Sequence, residues 1–386
     1  MFLRNDLDEL LGCDSAPAVS IYLPTHRAGR EVRQDGIRLR NLLTAATERL
    51  GLQLRGPEIA DLLEPARRLI DDESFWRYQD QGLAIFLAPD FDRVHKLPIE
   101  VAEELVVGSR FHIRPLLPLV DPAAWFWVLT VTARRTRLHL GSRWSFDEFP
   151  VRELPQGVGE VREESVYEEA HNAAPTGRPQ RGGAPGLAKA QAFGPAPDEL
   201  HKDQLIELLR RVAAAVEPVV KGHPAPVILA AQPEIQGNLR EFVNWKDLLP
   251  EGIQENPDAM AAEELHDKAW RLLAPRLDKD RADALGRLNA LLGTADGRAT
   301  TNPEEIVKAA RYSRVEQLFL ADGAPPVWGV FAEGQDKVDI HPEPAEGDDD
   351  LLDYAARMTL RQGGAVTRVD RAQLPANAPA AAILRY

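Results

Sequence analysis

The chain has 386 residues, about two and a half times the ~150-residue norm for a domain, so two or three domains with cores of their own are predicted. Apolar residues make up 44% and charged residues 27%, the composition of a folded globular protein, which excludes a disordered chain or a coiled coil. Its 46 basic and 60 acidic residues leave a formal net charge of −14, so bulk electrostatics oppose nonspecific adhesion to nucleic acid or anionic membrane, and any RNA contact must be local.

At the start of the chain, Asp6, Asp8 and Glu9 stand where a secretion signal needs an apolar core. The best apolar run, residues 122–131, is half a bilayer span, so no membrane partner is expected. Val19-Ser20-Ile21-Tyr22-Leu23 reads as a strand stopped by Pro24. Residues 37–50 read as a helix with Ile37, Leu42 or Leu43, and Leu50 toward one face. Strands are predicted at 83–87 and 105–117, and a Pro-rich stretch, 115–122, closes an N-terminal α/β domain over residues 1–122.

From Trp125 to Val131 both alternating faces are apolar, as in a strand buried on two sides, which makes Trp125 and Trp127 core residues. Residues 137–140 and 146–151 follow after short turns and complete an antiparallel meander. A helix over 198–221 carries Leu200, Leu205, Leu208, Leu209, Val212, Val216 and Val219 in one stripe. A short strand at 226–231 and a helix around 234–245 complete a ribonuclease-H-like α/β layer over residues 123–254.

Asn256-Pro257 gives a cap followed by proline at the first helical position, and 260–292 reads as helix broken at Pro275. Asn302-Pro303 repeats the signal, with Lys308, Arg311 and Arg314 at the far end, where cations favour the helix dipole. Strands at 315–321, 327–331, 365–369 and 380–384, with a helix at 351–361 stopped by Gly363-Gly364, give a three-layer α/β/α domain over 255–386. Asp348-Asp349-Asp350 precedes that last helix and reads as its cap rather than a cation site.

The most unusual stretch is the loop over 172–197. Arg178, Arg181 and Lys189 stand there with no acid between them, and Gly182, Gly183 and Gly186 admit positive φ and close backbone approach. Arginine forks suit phosphate, so Arg178, Arg181, Gly182, Gly183 and Lys189 are the candidate RNA-binding residues; a solvated surface loop is the alternative. A second basic cluster, around His26, Arg27, Arg30, Arg33, Arg38 and Arg40, runs from a strand end into a helix. Arg27 and Arg30 are the phosphate candidates there, against a plain basic helix face neutralised by Glu31 and Asp35.

Taken in order, the segment 19–29, the meander before a Gly-rich loop, Pro257-Asp-Ala-Met-Ala-Ala-Glu-Glu-Leu-His266, Gly363-Gly364 and the ending Ala381-Ala-Ile-Leu-Arg-Tyr386 resemble the bacterial archaeo-eukaryotic release-factor-like family. Its relatives are the class I release factors, Pelota and ribosome-hibernation factors. The resemblance implies a central ribonuclease-H-like domain, a C-terminal domain like the kink-turn-binding ribosomal proteins, and the ribosome and ribosomal RNA as partners, with an elongation-factor GTPase as a further one. Release factors carry Gly-Gly-Gln at the tip of the central loop, whereas Gly182-Gly183 is followed here by Ala184, which cannot orient water. The codon-reading motif is also missing from residues 1–122.

Cys13 is the single cysteine, which excludes an internal disulfide and any zinc site with two thiolates and points to a reducing cytoplasm. The first strand of the ribonuclease-H-like layer carries no carboxylate, so two-metal nuclease chemistry has no support. No nucleotide-binding glycine motif occurs, and no cofactor, metal or DNA partner is expected. The reading is a ribosome-binding factor that occupies the A site without releasing peptide. Two alternatives stay open: a peptidyl-tRNA hydrolase using Gln180 or Gln191, and an adaptor whose C-terminal domain binds a protein or a structured RNA away from the ribosome, the acidic tract 333–350 suiting a basic protein.

Overall fold

A computed structural model describes Phe2 and residues 4–26, 32–120, 125–161, 197–294, 297–332, 336–345 and 347–386. The described chain divides into two compact units, Met1–Ala124 with Lys279–Tyr386, and Trp125–Asp278. It is a multidomain α/β protein with four sheets.

In the first unit, helix α1 (Arg4–Gly12) leads to strand β1 (Ala18–Pro24), followed by α2 (Val32–Leu50), α3 (Gly56–Ile70) and α4 (Glu73–Arg77). Strands β2 (Gly82–Ala88), β3 (Phe91–Leu97) and β4 (Glu104–Gly108) and the short α5 (Leu117–Val120) complete its N-terminal part. The sheet has the order β3-β2-β1-β4 and is antiparallel, with Ile21 opposite both Ile85 and Leu105. Its central strands are buried on both faces. Val19, Ile21, Leu23, Leu83, Ile85 and Leu87 pack in one core with Leu39, Leu42, Leu43, Ala46 and Leu50 of α2.

Ile37 is 55% exposed and does not join that stripe. The buried α2 positions recur at steps of three and four from Leu39, and Ile37, two residues earlier, lies about 200° round the helix. The strand expected over 105–117 ends at Gly108, because Pro115 starts a 3₁₀ turn at Arg114–Leu116 that runs into α5.

The second unit holds β5 (Phe126–Val131), β6 (Thr136–Gly141), β7 (Phe146–Phe149), α6 (Pro197–Gly222), β8 (Val227–Ala230) and α7 (Pro233–Phe242). The strand order is β7-β6-β5-β8, with an antiparallel meander β5-β6-β7 and β8 parallel to β5. Beyond β8, Leu248 and Ile253 form isolated parallel bridges to Val227 and Ala230, a rudimentary fifth strand. On one sheet face Trp127, Leu129 and Leu229 pack with Leu208, Leu209, Val212 and Val216 of α6. Phe126, Val128 and Ile228 cover the other face and meet Leu265, Ala269 and Leu273 of α8 (Ala262–Leu292). β5 is therefore buried on both sides, as its alternation requires; Trp127 is fully buried and Trp125 only half-buried.

Two details of α8 depart from expectation. Asn256 caps a 3₁₀ turn at Pro257–Ala259, its side-chain oxygen accepting from Asp258 N at 3.1 Å, and the helix itself begins at Ala262. Pro275 lies inside α8 without ending it. Proline removes one backbone donor there, a loss that the apolar contacts of Leu265, Ala269 and Leu273 offset.

The C-terminal part of the first unit comprises β9 (Ala299–Thr300), α9 (Pro303–Arg311), β10 (Val315–Ala321), β11 (Trp328–Ala332), β12 (Lys337–Ile340), β13 (Asp349–Asp350), α10 (Leu351–Arg361), β14 (Ala365–Val369) and β15 (Ala380–Leu384). Its main sheet runs β14-β10-β15-β9, and β12-β11-β13 form a small second sheet. Phe319, Ala321, Ala381 and Ile383 face Leu285 and Leu288 of α8, while the opposite face meets α9 and α10, giving three layers. Both caps are as expected: Asn302 Oδ1 accepts from Glu304 N at 3.0 Å, and Asp350 Oδ1 accepts from Leu352 N at 3.0 Å. Gly363, at φ +72°, ends α10 in the left-handed conformation that glycine tolerates.

Helix α10 is buried along nearly its whole length because a polar joint covers the side that the sheet does not. Asp353 accepts from Ile113 N (2.8 Å) and Arg114 N (2.7 Å), and His112 Nδ1 lies 3.3 Å from its carboxylate. Arg357, one turn on, donates to Phe111 O at 2.6 Å, and Tyr22 donates its hydroxyl proton to His112 O at 2.5 Å. Arg114 pairs with Asp350 at 3.0 Å. Burial pushes the Asp353 carboxyl above its usual range, against the opposing pull of His112 and Arg357. A His–Asp pair can suggest catalysis, but here the carboxylate holds two backbone amides, which is a structural task.

Candidate nucleic-acid interface

Arg178, Arg181, Gly182, Gly183 and Lys189 all lie outside the described residues, as do Gln180, Gln191, Arg27 and Arg30. What is described is the frame on either side of each segment. Before the long loop, the chain from β7 packs on the β5–β6 turn: Val158 N donates to Ala133 O at 2.9 Å. Gly157 sits so close to that turn that a Cβ would lie 2.6 Å from Arg134 O. Gln156 N donates to the Glu160 carboxylate at 2.8 Å, and Val161 is buried in the core beneath α6. After the loop, α6 is held by Leu208, Leu209, Val212 and Val216. The described chain before and after residues 162–196 therefore packs on one sheet.

The β5–β6 turn is itself cationic. Thr132 Oγ1 accepts from Arg135 N at 2.9 Å and donates to Asp258 Oδ2 at 2.7 Å, which shapes the turn. Arg137 reaches the same carboxylate at 3.6 Å. Arg134 and Arg135 are exposed at the tip. The structure thus places two exposed arginines on the turn against which Gly157 and Val158 pack. In the sequence this stretch reads only as the short turn before residues 137–140; the available signal is a pair of adjacent arginines just past a strand apolar on both faces.

At the second basic cluster, β1 ends with Thr25, whose N–H and hydroxyl donate to Gln81 O and Asp80 O at 3.0 Å each. His26 N donates to the fully buried Asp35 at 3.1 Å, His26 Nδ1 lies 3.1 Å from the same carboxylate, and Arg38 reaches it at 3.3 Å. Burial raises the Asp35 carboxyl, opposed mainly by the His26 hydrogen bonds. Arg40 pairs with Asp71 at 3.4 Å. Of this cluster, His26, Arg38 and Arg40 contact acids, and the arrangement anchors the entry to α2.

No group of three or more His, Cys, Asp or Glu side chains among the described residues is placed to hold a metal ion. Among the same residues no helix is long and apolar enough to cross a membrane.

Residues 125–314 match the model of bacterial archaeo-eukaryotic release factor family 3. No curated protein matches the chain. Among solved structures, archaeal translation termination factor aRF1 is 14% identical, with 98% of this chain and 96% of that one covered and a TM-score of 0.23. Archaeal Pelota, in a ribosome-bound assembly with ABCE1, is 14% identical over 76% of this chain and 72% of its own, at a TM-score of 0.39. S. cerevisiae Dom34, described as a translation termination-like factor that interacts with Hbs1, is 12% identical over 79% and 74%, at 0.29. The match over residues 125–314 takes in the whole second unit, which is thus similar to the bacterial archaeo-eukaryotic release factors.

Proposed function

We propose that this protein is a ribosome-binding translation factor that occupies the A site without releasing peptide. The observation that carries the reading is the family match over residues 125–314, which encloses a loop whose glycine pair is followed by Ala184 instead of glutamine. In this reading the loop keeps a release factor's cations for ribosomal RNA phosphates and has lost the side chain that would position water. Arg178, Arg181 and Lys189 contact phosphates, Gly182 and Gly183 let the backbone pass close to them, and Arg27 and Arg30 supply a second contact. Arg134 and Arg135 at the loop base add to the same field. A meander of three antiparallel strands beside a parallel fourth supports a ribonuclease-H-like central domain. The three layers built on β10 and β15 support a C-terminal domain of the kink-turn-binding kind, with residues 1–122, 123–254 and 255–386 as the functional divisions. A GTPase of the elongation-factor class is the delivery partner in this scheme, by analogy with the Hbs1 partner of Dom34.

Sucrose-gradient sedimentation with purified ribosomes tests the reading. The full chain is expected to travel with ribosomes at low salt and to come off as salt rises. Arg178→Glu together with Arg181→Glu should weaken binding by about tenfold or more and flatten the salt dependence. Labelled peptide on stalled ribosomes should stay attached. A chain that remains at the top of the gradient at low salt removes the proposal, and peptide release lost on Gln180→Ala or Gln191→Ala replaces it with a hydrolase.

A further inference from the structure

A cavity of about 550 Å³ opens in the first unit where the segment after α1, the turn after β4 and the C-terminal ends of α9 and α10 converge. Three guanidinium-bearing side chains line it: Arg110 from the turn, Arg311 from the last turn of α9 and Arg361 from the last turn of α10. Asp14 is the one acid among its described lining residues, 62% exposed and paired with Arg361 at 3.2 Å. A helix C-terminus favours a cation for dipole reasons alone, which accounts for Arg311 and Arg361 singly. It does not account for their convergence with Arg110, about 200 residues away in the chain, on one concave surface.

Two side chains behind and within the cavity keep buried polar atoms without a hydrogen bond among the described residues. Arg357 is 1% exposed, shares a small void with Arg110, and finds no acceptor for Nε or Nη2 among the described residues. Burial lowers its pKa, opposed by Asp353, and the nearby Arg110 and Arg361 lower it further. Asp349 also lies close to Arg110, its carboxyl raised by burial and pulled down by Arg110. In the cavity wall, the Gln362 amide donates to Arg311 O at 3.2 Å, while its buried Oε1 has no donor among the described residues. That oxygen calls for a hydroxyl or amino group. Ala16 and Met358 supply an apolar surface for a ring.

We infer that this cavity binds a nucleoside diphosphate-class small molecule, with its phosphates on Arg110, Arg311 and Arg361 and a hydroxyl or amino donor on Gln362 Oε1. The volume suits a ligand of that size, and forked guanidinium groups from three separate elements suit a group with several charged oxygens. The inference stands apart from ribosome binding, since every residue it uses lies in the first unit.

Calorimetry and thermal melting of the full chain at low salt test it, with ADP, GDP and inorganic pyrophosphate as probes. The nucleoside diphosphates are expected to bind and to raise the melting temperature, and pyrophosphate to compete with them. Arg311→Gln and Arg361→Gln should each weaken binding by about tenfold, and the loss of the exposed Arg361–Asp14 pair should change the ligand-free melting temperature little. Arg361→Lys, which keeps the charge but loses the fork, should fall in between. Pyrophosphate binding alone would make this a bare phosphate site and overturn the nucleoside part. Absence of binding by all three probes at millimolar concentration overturns the whole inference, as does binding indifferent to both glutamine variants. Capture of a single-stranded RNA oligonucleotide, lost on Arg311→Gln when the diphosphates do not bind, would assign the arginines to RNA backbone instead.

Discussion

His139 lies on β6 in a file of rings, stacked on Phe146 at 4.8 Å, with Phe146 against His266 at 5.4 Å and His266 against Phe126 at 6.1 Å. Its Nδ1 is buried without a partner among the described residues. Burial, helped by the neighbouring Arg137 and opposed by Glu148, holds its pKa below the ordinary 6.5. A depressed folded value means that the unfolded chain binds the proton first. The stability this neutral ring contributes is therefore complete above 6.5 and is lost as pH falls through the lower folded value. Urea melts across this range should show stability falling toward acid, and His139→Gln should make that slope shallower while lowering stability somewhat at neutral pH. An unchanged slope would show that the ring does not titrate as its surroundings require. His95, also depressed by burial, contributes in the same direction in the first unit, so the comparison with wild type isolates His139.

At the scale of an element, the rudimentary fifth strand depends on one glycine. Leu229 O accepts from Ile253 N at 2.8 Å, Ile253 O accepts from Ala231 N at 3.0 Å, and Gln236 of α7 donates to Ala231 O and Ile253 O at 2.8 Å each. A Cβ on Gly252 would lie 2.6 Å from Leu229 O. Gly252→Ala should therefore cost about 1–3 kcal/mol through overpacking, read from the urea midpoint. Gly237, inside α7, has nothing within 4 Å of its Cβ position. Gly237→Ala should stabilise the same unit by up to about 1 kcal/mol, since only helix propensity changes. Equal effects of the two substitutions would contradict the packing. The sequence announces Gly252 only as one more loop glycine, because its constraint comes from strands some 20 residues away.

For the whole molecule, the described frame separates stability from recognition. Val161 and α6, on either side of residues 163–195, are seated in the core of the second unit. Replacing them by a Gly-Ser linker of about ten residues should leave the melting temperature within a few degrees of wild type and remove ribosome binding. Binding that survives the replacement would move the interface elsewhere on the chain. Most elements on this map are legible in the sequence, since a fully buried strand such as β5 must be apolar on both faces, and caps such as Asn302 and Asp350 act through bonds within a few residues. The same locality made the glycine-rich basic loop and its missing glutamine visible before any fold was known. Other features depend on partners distant in the chain: Ile37 turned outward, Pro275 carried through α8, the polar joint that buries Asp353 and Arg357, and three arginines gathered around one cavity. Short-range chemistry is written in neighbouring residues, whereas a buried charge or a shared concavity exists only once separate segments have been brought within a few ångströms of each other.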